Sequence, residues 1–154
     1  MATELTPLQK IEARQAINDL NTDFCQFLDH GRLIELVDLF TEDAYYAHGE
    51  RVTRGRDEIR DLFERRSAKG VRTARHMYGS LKVELITADQ ATGQSVCMTF
   101  AADALPPIVP ASVYLVADFN DEYVRCSDGR WRIAKRQIER IFMDPDNAGP
   151  VGQK

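Results

Sequence analysis

The feature that most constrains the fold is a change of hydrophobic period near residue 74. Before that point, apolar residues recur at the three- and four-residue spacing of amphipathic helices. After it, apolar and polar residues alternate, as they do in half-buried strands. Helices followed by a run of strands predict an α+β fold, with the helices on one face of an antiparallel sheet. A long sheet that curls around its helices also leaves a pocket between the two layers.

The first half of the chain predicts three helices and one short strand. Thr6 and Pro7 indicate where the first helix begins, and Gly31 follows its end, where glycine is favoured. The predicted elements are a helix over 8–28, a helix over 32–40, a strand over 44–48, a charged, turn-rich connection over 49–55 and a helix over 56–69.

The second half predicts four long strands, and residues 1–143 are expected to form a single domain with a flexible tail over 144–154. Strict alternation places His76 on the face opposite Leu81. A bulge at Gly79 would shift the phase and bring both residues to one face. The apolar, proline-rich segment 105–110 predicts a pocket lid or an oligomer contact. The strands are predicted over 74–86, 92–102, 112–126 and 131–142.

Charge and cysteine usage exclude several classes of protein. The formal net charge is −4, so no basic footprint favours a nucleic-acid partner. Six arginines between Arg51 and Arg66 are interleaved with acids, which predicts a mixed, solvated face. No apolar run approaches the ~20 residues of a membrane span. Three widely spaced cysteines, in no paired motif, predict a cytoplasmic protein with reduced thiols.

The chain has three histidines, and His76 is predicted to be either a pocket base or a satisfied structural histidine. His76 lies where the helical pattern gives way to the strand pattern. Asp29 ends the first predicted helix, where a carboxylate opposes the macrodipole by about 0.3–1 kcal/mol. A functional partner and a solvated acid beside a turn explain this misfit equally well. His30 is predicted to be a solvated end residue, and His48 to line the pocket or lie at its rim.

Other reaction chemistries have little support in the sequence. It contains no His-Glu-x-x-His cluster, no glycine-rich phosphate loop and no Gly-x-Ser-x-Gly motif. We therefore expect neither a metal site nor another cofactor.

Five short motifs occur in order between residues 8 and 142. They are Leu28-Asp29-His30-Gly31-Arg32, Leu39-Phe40-Thr41-Glu42-Asp43-Ala44, Gly55-Arg56-Asp57-Glu58-Ile59, Arg75-His76 and Asp128-Gly129-Arg130-Trp131. Together they resemble the SnoaL-like branch of the nuclear transport factor 2-like superfamily. The resemblance implies a cone-shaped fold in which a curved antiparallel sheet wraps around three N-terminal helices and encloses a pocket. This branch includes dehydratases, a dehydrochlorinase, polyketide cyclases and dioxygenase β subunits.

The same resemblance implies a catalytic pair. Asp29 and His76 stand where eliminating members carry a pocket histidine as base and an aspartate that orients it. A neutral imidazole can accept a proton at neutral pH, and a carboxylate on its other nitrogen fixes the tautomer. The implied activity is a cofactor-independent lyase or isomerase, eliminating water or chloride from a small hydrophobic molecule. The alternative is a non-catalytic binding or assembly subunit, such as a ring-hydroxylating dioxygenase β-type subunit.

We expect further residues of the pocket to contact the substrate. Tyr46, Tyr114 or Arg125 would stabilise negative charge that develops during the reaction. The predicted substrate-binding residues are Tyr46, His48, Met98, Tyr114 and Arg125. A homo-oligomer, either a dimer or a trimer, is expected, with no nucleic-acid or membrane partner.

Overall fold

The structure, a computed structural model, describes residues 4–147. Its helices are α1 (Pro7–Asp29), α2 (Leu33–Asp38) and α3 (Gly55–Ser67). Its strands are β1 (Phe40–His48), β2 (Arg51–Arg54), β3 (Thr73–Leu85), β4 (Gln90–Ala102), β5 (Leu115–Arg125) and β6 (Trp131–Met143). A short 3₁₀ helix at Pro145–Asn147 begins the predicted tail, whose residues 148–154 lie outside the described part.

The six strands form one sheet in the order β2-β1-β6-β5-β4-β3. All neighbouring pairs are antiparallel except β1 and β6, which are parallel, so the predicted antiparallel sheet is mixed. The predicted connection over 49–55 was wrong in part, because 51–54 form β2, which pairs with β1. The sheet is curved and its two edge strands do not pair, so it wraps around the helices without closing. The predicted α+β fold is confirmed.

α1 is the element around which the sheet curves. Thr6 caps its N-terminus in a reciprocal capping box with Gln9, and Pro7 occupies the first helical turn, as predicted. Ile17, Leu20 and Phe24 form its buried stripe. Burial of this stripe against the sheet stabilises the packing of α1. As a result, α1 packs against β3.

β3 contains the bulge that the sequence predicted. The pairing with β4 shifts between Gly79 and Lys82, and Ser80 takes the left-handed backbone conformation, with φ of 53°. The shift changes the phase of the alternation, so that His76 and Leu81 both point toward the helices. The prediction of a bulge is confirmed, although the left-handed residue is Ser80 rather than Gly79.

The outer face of the sheet carries a row of apolar side chains across four strands. Met77 pairs with Met98, Met98 with Val116, and Val116 with Phe142. Met77 is 62% exposed and Phe142 is 69% exposed. Contiguous exposed apolar surface is typical of a protein contact. The expected homo-oligomer stays a prediction, and this row is the surface that would support it.

Two further observations concern the cysteines and the helices. Cys25, Cys97 and Cys126 are all free. Within residues 4–147, none of the helices is both long and apolar enough to cross a membrane.

Candidate active site

The end of α1 and the start of β3 bring Asp29 and His76 together. Asp29 Oδ1 lies 2.6 Å from His76 Nδ1, and Asp29 Oδ2 accepts the backbone N–H of His76 at 2.9 Å. The side chains are only 5% and 10% exposed. Both carboxylate oxygens therefore bind the same residue, one through its ring and one through its backbone. This double contact fixes the imidazole relative to the strand.

The position of β3 in the sheet explains why the backbone N–H of His76 is available. β3 is an edge strand, so only one of its sides pairs with a neighbour, β4. The N–H groups on the other side need partners, and an edge covered by a helix satisfies them without exposing them. Asp29, the last residue of α1, supplies that partner. The misfit of an acid at a helix C-terminus is thus explained by its contact with His76.

The contact with Asp29 also assigns the tautomer of His76. A carboxylate accepts hydrogen bonds, so Nδ1 carries the proton that it donates to Asp29 Oδ1. Nε2 is then the basic atom of the ring, and the His76 side chain lines an internal cavity. Among residues 4–147, Nε2 has no hydrogen-bond partner. A buried imidazole with an available Nε2 and a carboxylate on Nδ1 is the arrangement of a general base.

We call this space the inner cavity. Its volume is about 30 Å³, room for about two water molecules. Its wall is mostly aromatic and aliphatic, and Tyr46 and Tyr114 line it as predicted. The other lining residues are Phe24, Leu28, His48, Arg66, Arg72, His76, Cys97, Thr99, Leu115, Ala117, Phe119 and Ile138.

A second space, the outer pocket, adjoins the inner cavity and has a volume of about 190 Å³. It lies between the C-terminal ends of α1 and α3, and Asp29 is part of its wall. Leu28, Arg66 and Arg72 line both spaces, so these three side chains form the boundary between them. Pockets that hold drug-sized ligands measure about 300–1,000 Å³. A molecule that reaches His76 must therefore be small, or must extend across this boundary into the outer pocket.

His48 lies in the wall of the inner cavity, as predicted. Its Nε2 is buried and has no hydrogen-bond partner among residues 4–147. Burial, with the positive charges of Arg140 and Arg51, lowers the pKa of His48 to about 4. His48 is therefore neutral at physiological pH and presents a polar atom to the cavity without a charge.

Replacing His48 by phenylalanine is expected to change how stability depends on pH. Between about pH 6.5 and pH 4 the unfolded chain binds a proton at His48 that the folded chain does not. As the pH is lowered through this window, the free energy of unfolding of the wild type therefore decreases. His48 alone accounts for up to about 3 kcal/mol of this decrease. His48→Phe is expected not to show this decrease. Urea unfolding of both proteins at several pH values gives the free energy of unfolding as a function of pH. The same pH dependence in both proteins would contradict the prediction.

Two predicted substrate-binding residues do not lie in this site. Met98 points to the outer face of β4, where it is 38% exposed, because Cys97 and Thr99 are the residues that face inward. Arg125 ends β5 at the far end from Tyr114 and Leu115. It donates to the carbonyl of Gly129 at 3.3 Å. The structure therefore does not bring Met98 or Arg125 to the inner site.

The site also contains two residues that the sequence reasoning missed. Arg66 was assigned to a solvated face, yet it lines both spaces. A signal was present, since Arg66 follows Ile59, Leu62 and Phe63 at helical spacing and so lies on the buried face of α3. Arg72 lies just before β3, and nothing in its local sequence marks it.

Two other surface depressions offer no comparable chemistry. One of them, about 350 Å³, is a groove lined by polar and mixed-charge side chains such as Lys82, Glu84, Glu122 and Lys135, with no histidine. A groove of about 260 Å³ lies under Pro106, Ile108 and Pro110 of the proline-rich segment. That segment lines neither the inner cavity nor the outer pocket.

Comparison with known structures places this architecture in one fold class. A protein from Novosphingobium aromaticivorans, provisionally assigned as a scytalone dehydratase, has a TM-score of 0.80 at 20% identity, over 97% of this chain and 99% of that one. Hexachlorocyclohexane dehydrochlorinase LinA-type3 from Novosphingobium barchaimii has a TM-score of 0.74 at 20% identity, over 91% and 94% of the two chains. ActVI-ORFA from Streptomyces coelicolor has a TM-score of 0.73 at 17% identity, over 84% and 97%. Identities this low establish the shared fold alone.

The chain therefore has an α+β fold of the cystatin-like, nuclear transport factor 2-like type. The model of the SnoaL-like domain family matches residues 9–137, so the chain belongs to that family. The resemblance inferred from the five motifs is confirmed. No curated protein sequence matches the chain.

Proposed function

We propose that this protein is a cofactor-independent lyase or isomerase. In the proposed reaction His76 removes a proton from a carbon atom of the substrate, and Asp29 orients His76 and stabilises its protonated form. The observation that supports this most directly is the double contact between Asp29 and His76, which leaves Nε2 as the basic atom beside a largely apolar cavity. The fold shared with a dehydrochlorinase and with a protein assigned as a dehydratase agrees with the proposal.

The proposed reaction has two steps. Nε2 of His76 takes a proton from the carbon next to an electron-withdrawing group, and the C–H electron pair moves to form a new double bond. In an elimination, hydroxide or chloride leaves from the adjacent carbon with its bonding pair, and in an isomerisation the proton returns to a different carbon. The imidazolium formed in the first step is stabilised by Asp29. Burial keeps competing water away and strengthens that interaction.

The proposal is tested with simple activated substrates in deuterated water. Suitable probes are 4-hydroxy-4-phenylbutan-2-one and its 4-chloro counterpart, whose C–H bonds beside the carbonyl are acidic. NMR follows both uptake of deuterium at that carbon and formation of the unsaturated ketone. The wild type is expected to accelerate at least one of these processes. His76→Gln is expected to lose about 100-fold or more of that rate, because a general base typically contributes about 10²–10⁴-fold.

His30→Gln is the matched control for this experiment. His30 is exposed at the end of α1, next to Asp29 in sequence, and the substitution makes the same chemical change outside the cavity. It should leave the rate unchanged. No acceleration by the wild type, or equal rates for wild type and His76→Gln, would refute the proposal and favour a binding or assembly subunit.

A further inference from the structure

The boundary between the inner cavity and the outer pocket carries two arginines and no available acid. Arg66 and Arg72 line both spaces, and no carboxylate lines the inner cavity. Asp29 is the acid in the outer-pocket wall, and both of its oxygens already bond to His76. The wall beside the proposed base therefore has an excess of positive charge.

Arg66 lacks a charged partner among residues 4–147. Among residues 4–147, its side chain makes neither a hydrogen bond nor an ion pair with any other residue. Burial lowers the pKa of Arg66, and the nearby charge of Arg72 lowers it further, against the opposing effect of Tyr46. Removing a guanidinium from water without a counter-ion costs several kcal/mol. An anion bound from outside would offset that cost.

Arg72 is only partly satisfied. One of its terminal nitrogens donates to Asp103 at 2.9 Å, but Asp103 is largely exposed. Its Nε is buried and has no hydrogen-bond partner in the described part of the chain. Its guanidinium lies 5.9 Å from the ring of Tyr114, another residue of the inner cavity. Arg72 thus keeps donor capacity close to the space that Arg66 faces.

We propose that Arg66 and Arg72 bind the carboxylate group of a small substrate at the boundary between the inner cavity and the outer pocket. The planar guanidinium fork matches a carboxylate in shape and charge, and such charge-assisted hydrogen bonds are stronger than neutral ones. The apolar wall formed by Phe24, Leu115 and Phe119 then accommodates the remaining carbon atoms. This assignment rests on the proposed function, because it places the body of the substrate beside His76, and it narrows the substrate class to small carboxylates.

The proposal is tested by comparing each carboxylate with its neutral amide. Crotonate and crotonamide form one pair, and phenylacetate and phenylacetamide form the other. NMR titrations at low salt give the dissociation constants. For at least one pair, the wild type is expected to bind the carboxylate about tenfold or more tightly than the amide, as an added charge-assisted hydrogen bond predicts. Equal affinities within both pairs, or no binding by any probe, would overturn the proposal.

Two variants with the same change in net charge make the test specific. Arg66→Gln is expected to lose the preference for carboxylate. Arg65→Gln, one residue earlier and exposed on α3, is expected to keep it. Equal losses in both variants would show a general effect of charge and would overturn the assignment. Thermal unfolding checks that each variant folds, and Arg72→Gln replaces Arg66→Gln if that variant does not fold.

The same assay separates this proposal from the proposed function. His76→Gln removes the base but leaves both arginines, so it is expected to keep the preference for carboxylate. Carboxylate-selective binding by a protein that accelerates no proton transfer would uphold the anion site and refute the base. Proton transfer by His76 without any preference for carboxylates would uphold the base and refute the anion site.

Discussion

Asp29→Asn is expected to reduce the rate of proton abstraction by about 10³–10⁴-fold while leaving the fold intact, as loss of the correct histidine tautomer does in comparable pairs. Asparagine has nearly the same shape as aspartate, so the packing of the α1 end is preserved. What changes is which ring nitrogen of His76 carries the proton. The effect is therefore chemical rather than structural.

The backbone contact of Asp29 dictates this outcome. In the wild type one carboxylate oxygen accepts the N–H of His76 and the other accepts Nδ1–H. An asparagine at this position has a single oxygen, and the N–H of the strand requires it. The amide NH₂ group must then face Nδ1 and donate to it, because two donors cannot face each other. Nδ1 loses its proton, Nε2 gains one, and the cavity faces a donor instead of a base.

NMR of the imidazole nitrogens measures this switch without any substrate. The wild type is expected to show the proton of His76 on Nδ1, and Asp29→Asn to show it on Nε2. Asp19→Asn, the same substitution at an exposed position of α1, should leave both the tautomer and the rate unchanged. If Asp29→Asn kept the wild-type tautomer and full activity, Asp29 would have no role in orienting His76.

The elements of the fold and the pairing of Asp29 with His76 could be predicted because they depend on strong local patterns. A change of period from 3.6 to 2 follows directly from which side chains are buried. The glycine near His76 indicated a bulge, and the bulge determines that His76 faces the helices. The orientation of Asp29 could not be predicted from helical angle alone. It depends on the contact with His76, which is 47 residues away in sequence on the edge strand β3.

The misplacement of Met98 has a physical cause. On β4 the apolar residues Val96 and Met98 face outward, whereas Ser95, Cys97 and Thr99 face inward. A strand that lines a partly polar site and carries an apolar outer surface reverses the usual relation between hydrophobicity and burial. Hydrophobic alternation therefore identified the two faces of β4 but not which of them is internal.

Charge patterning failed for Arg66 in a similar way. Four of the six arginines between 51 and 66 are directly adjacent to an acidic residue in the sequence, which makes a solvated face the natural interpretation. Position on the helix was the better guide, because Arg66 continues the apolar face of α3. A charged residue on an apolar helical face needs either an internal partner or a ligand. In this protein the described residues contain no internal partner, which is why Arg66 points to function.

Asp121→Asn is expected to destabilise the protein by about 3–5 kcal/mol, since it leaves a buried arginine without its counter-charge. Asp121 and Arg136 face each other across β5 and β6, and both side chains are 0% exposed. Arg136 donates to the two carboxylate oxygens at 2.9 and 2.8 Å, and its guanidinium lies 4.4 Å from the ring of Phe24. Arg136 also donates to Asn21 of α1, so the pair joins the sheet to the helix.

The next pair along the same two strands provides the control. Glu122 and Lys135 also face each other across β5 and β6, but their ion pair is exposed, at 3.5 Å. Glu122→Gln makes the same change in charge and is expected to cost less than about 1 kcal/mol. Urea unfolding, followed by fluorescence of the buried Trp131, measures both variants. Similar losses would show that burial does not determine the value of the pair.

A second substitution tests the cause of the loss at Asp121. If the cost arises from an uncompensated buried charge, removing that charge should restore stability, although it removes still more of the native contacts. Arg136→Met combined with Asp121→Asn is therefore expected to recover about 2 kcal/mol relative to Asp121→Asn alone. A purely contact-based view predicts the opposite order, with the double variant less stable than the single one. The order of the two unfolding midpoints thus decides whether electrostatic desolvation or loss of packing dominates at the centre of this fold.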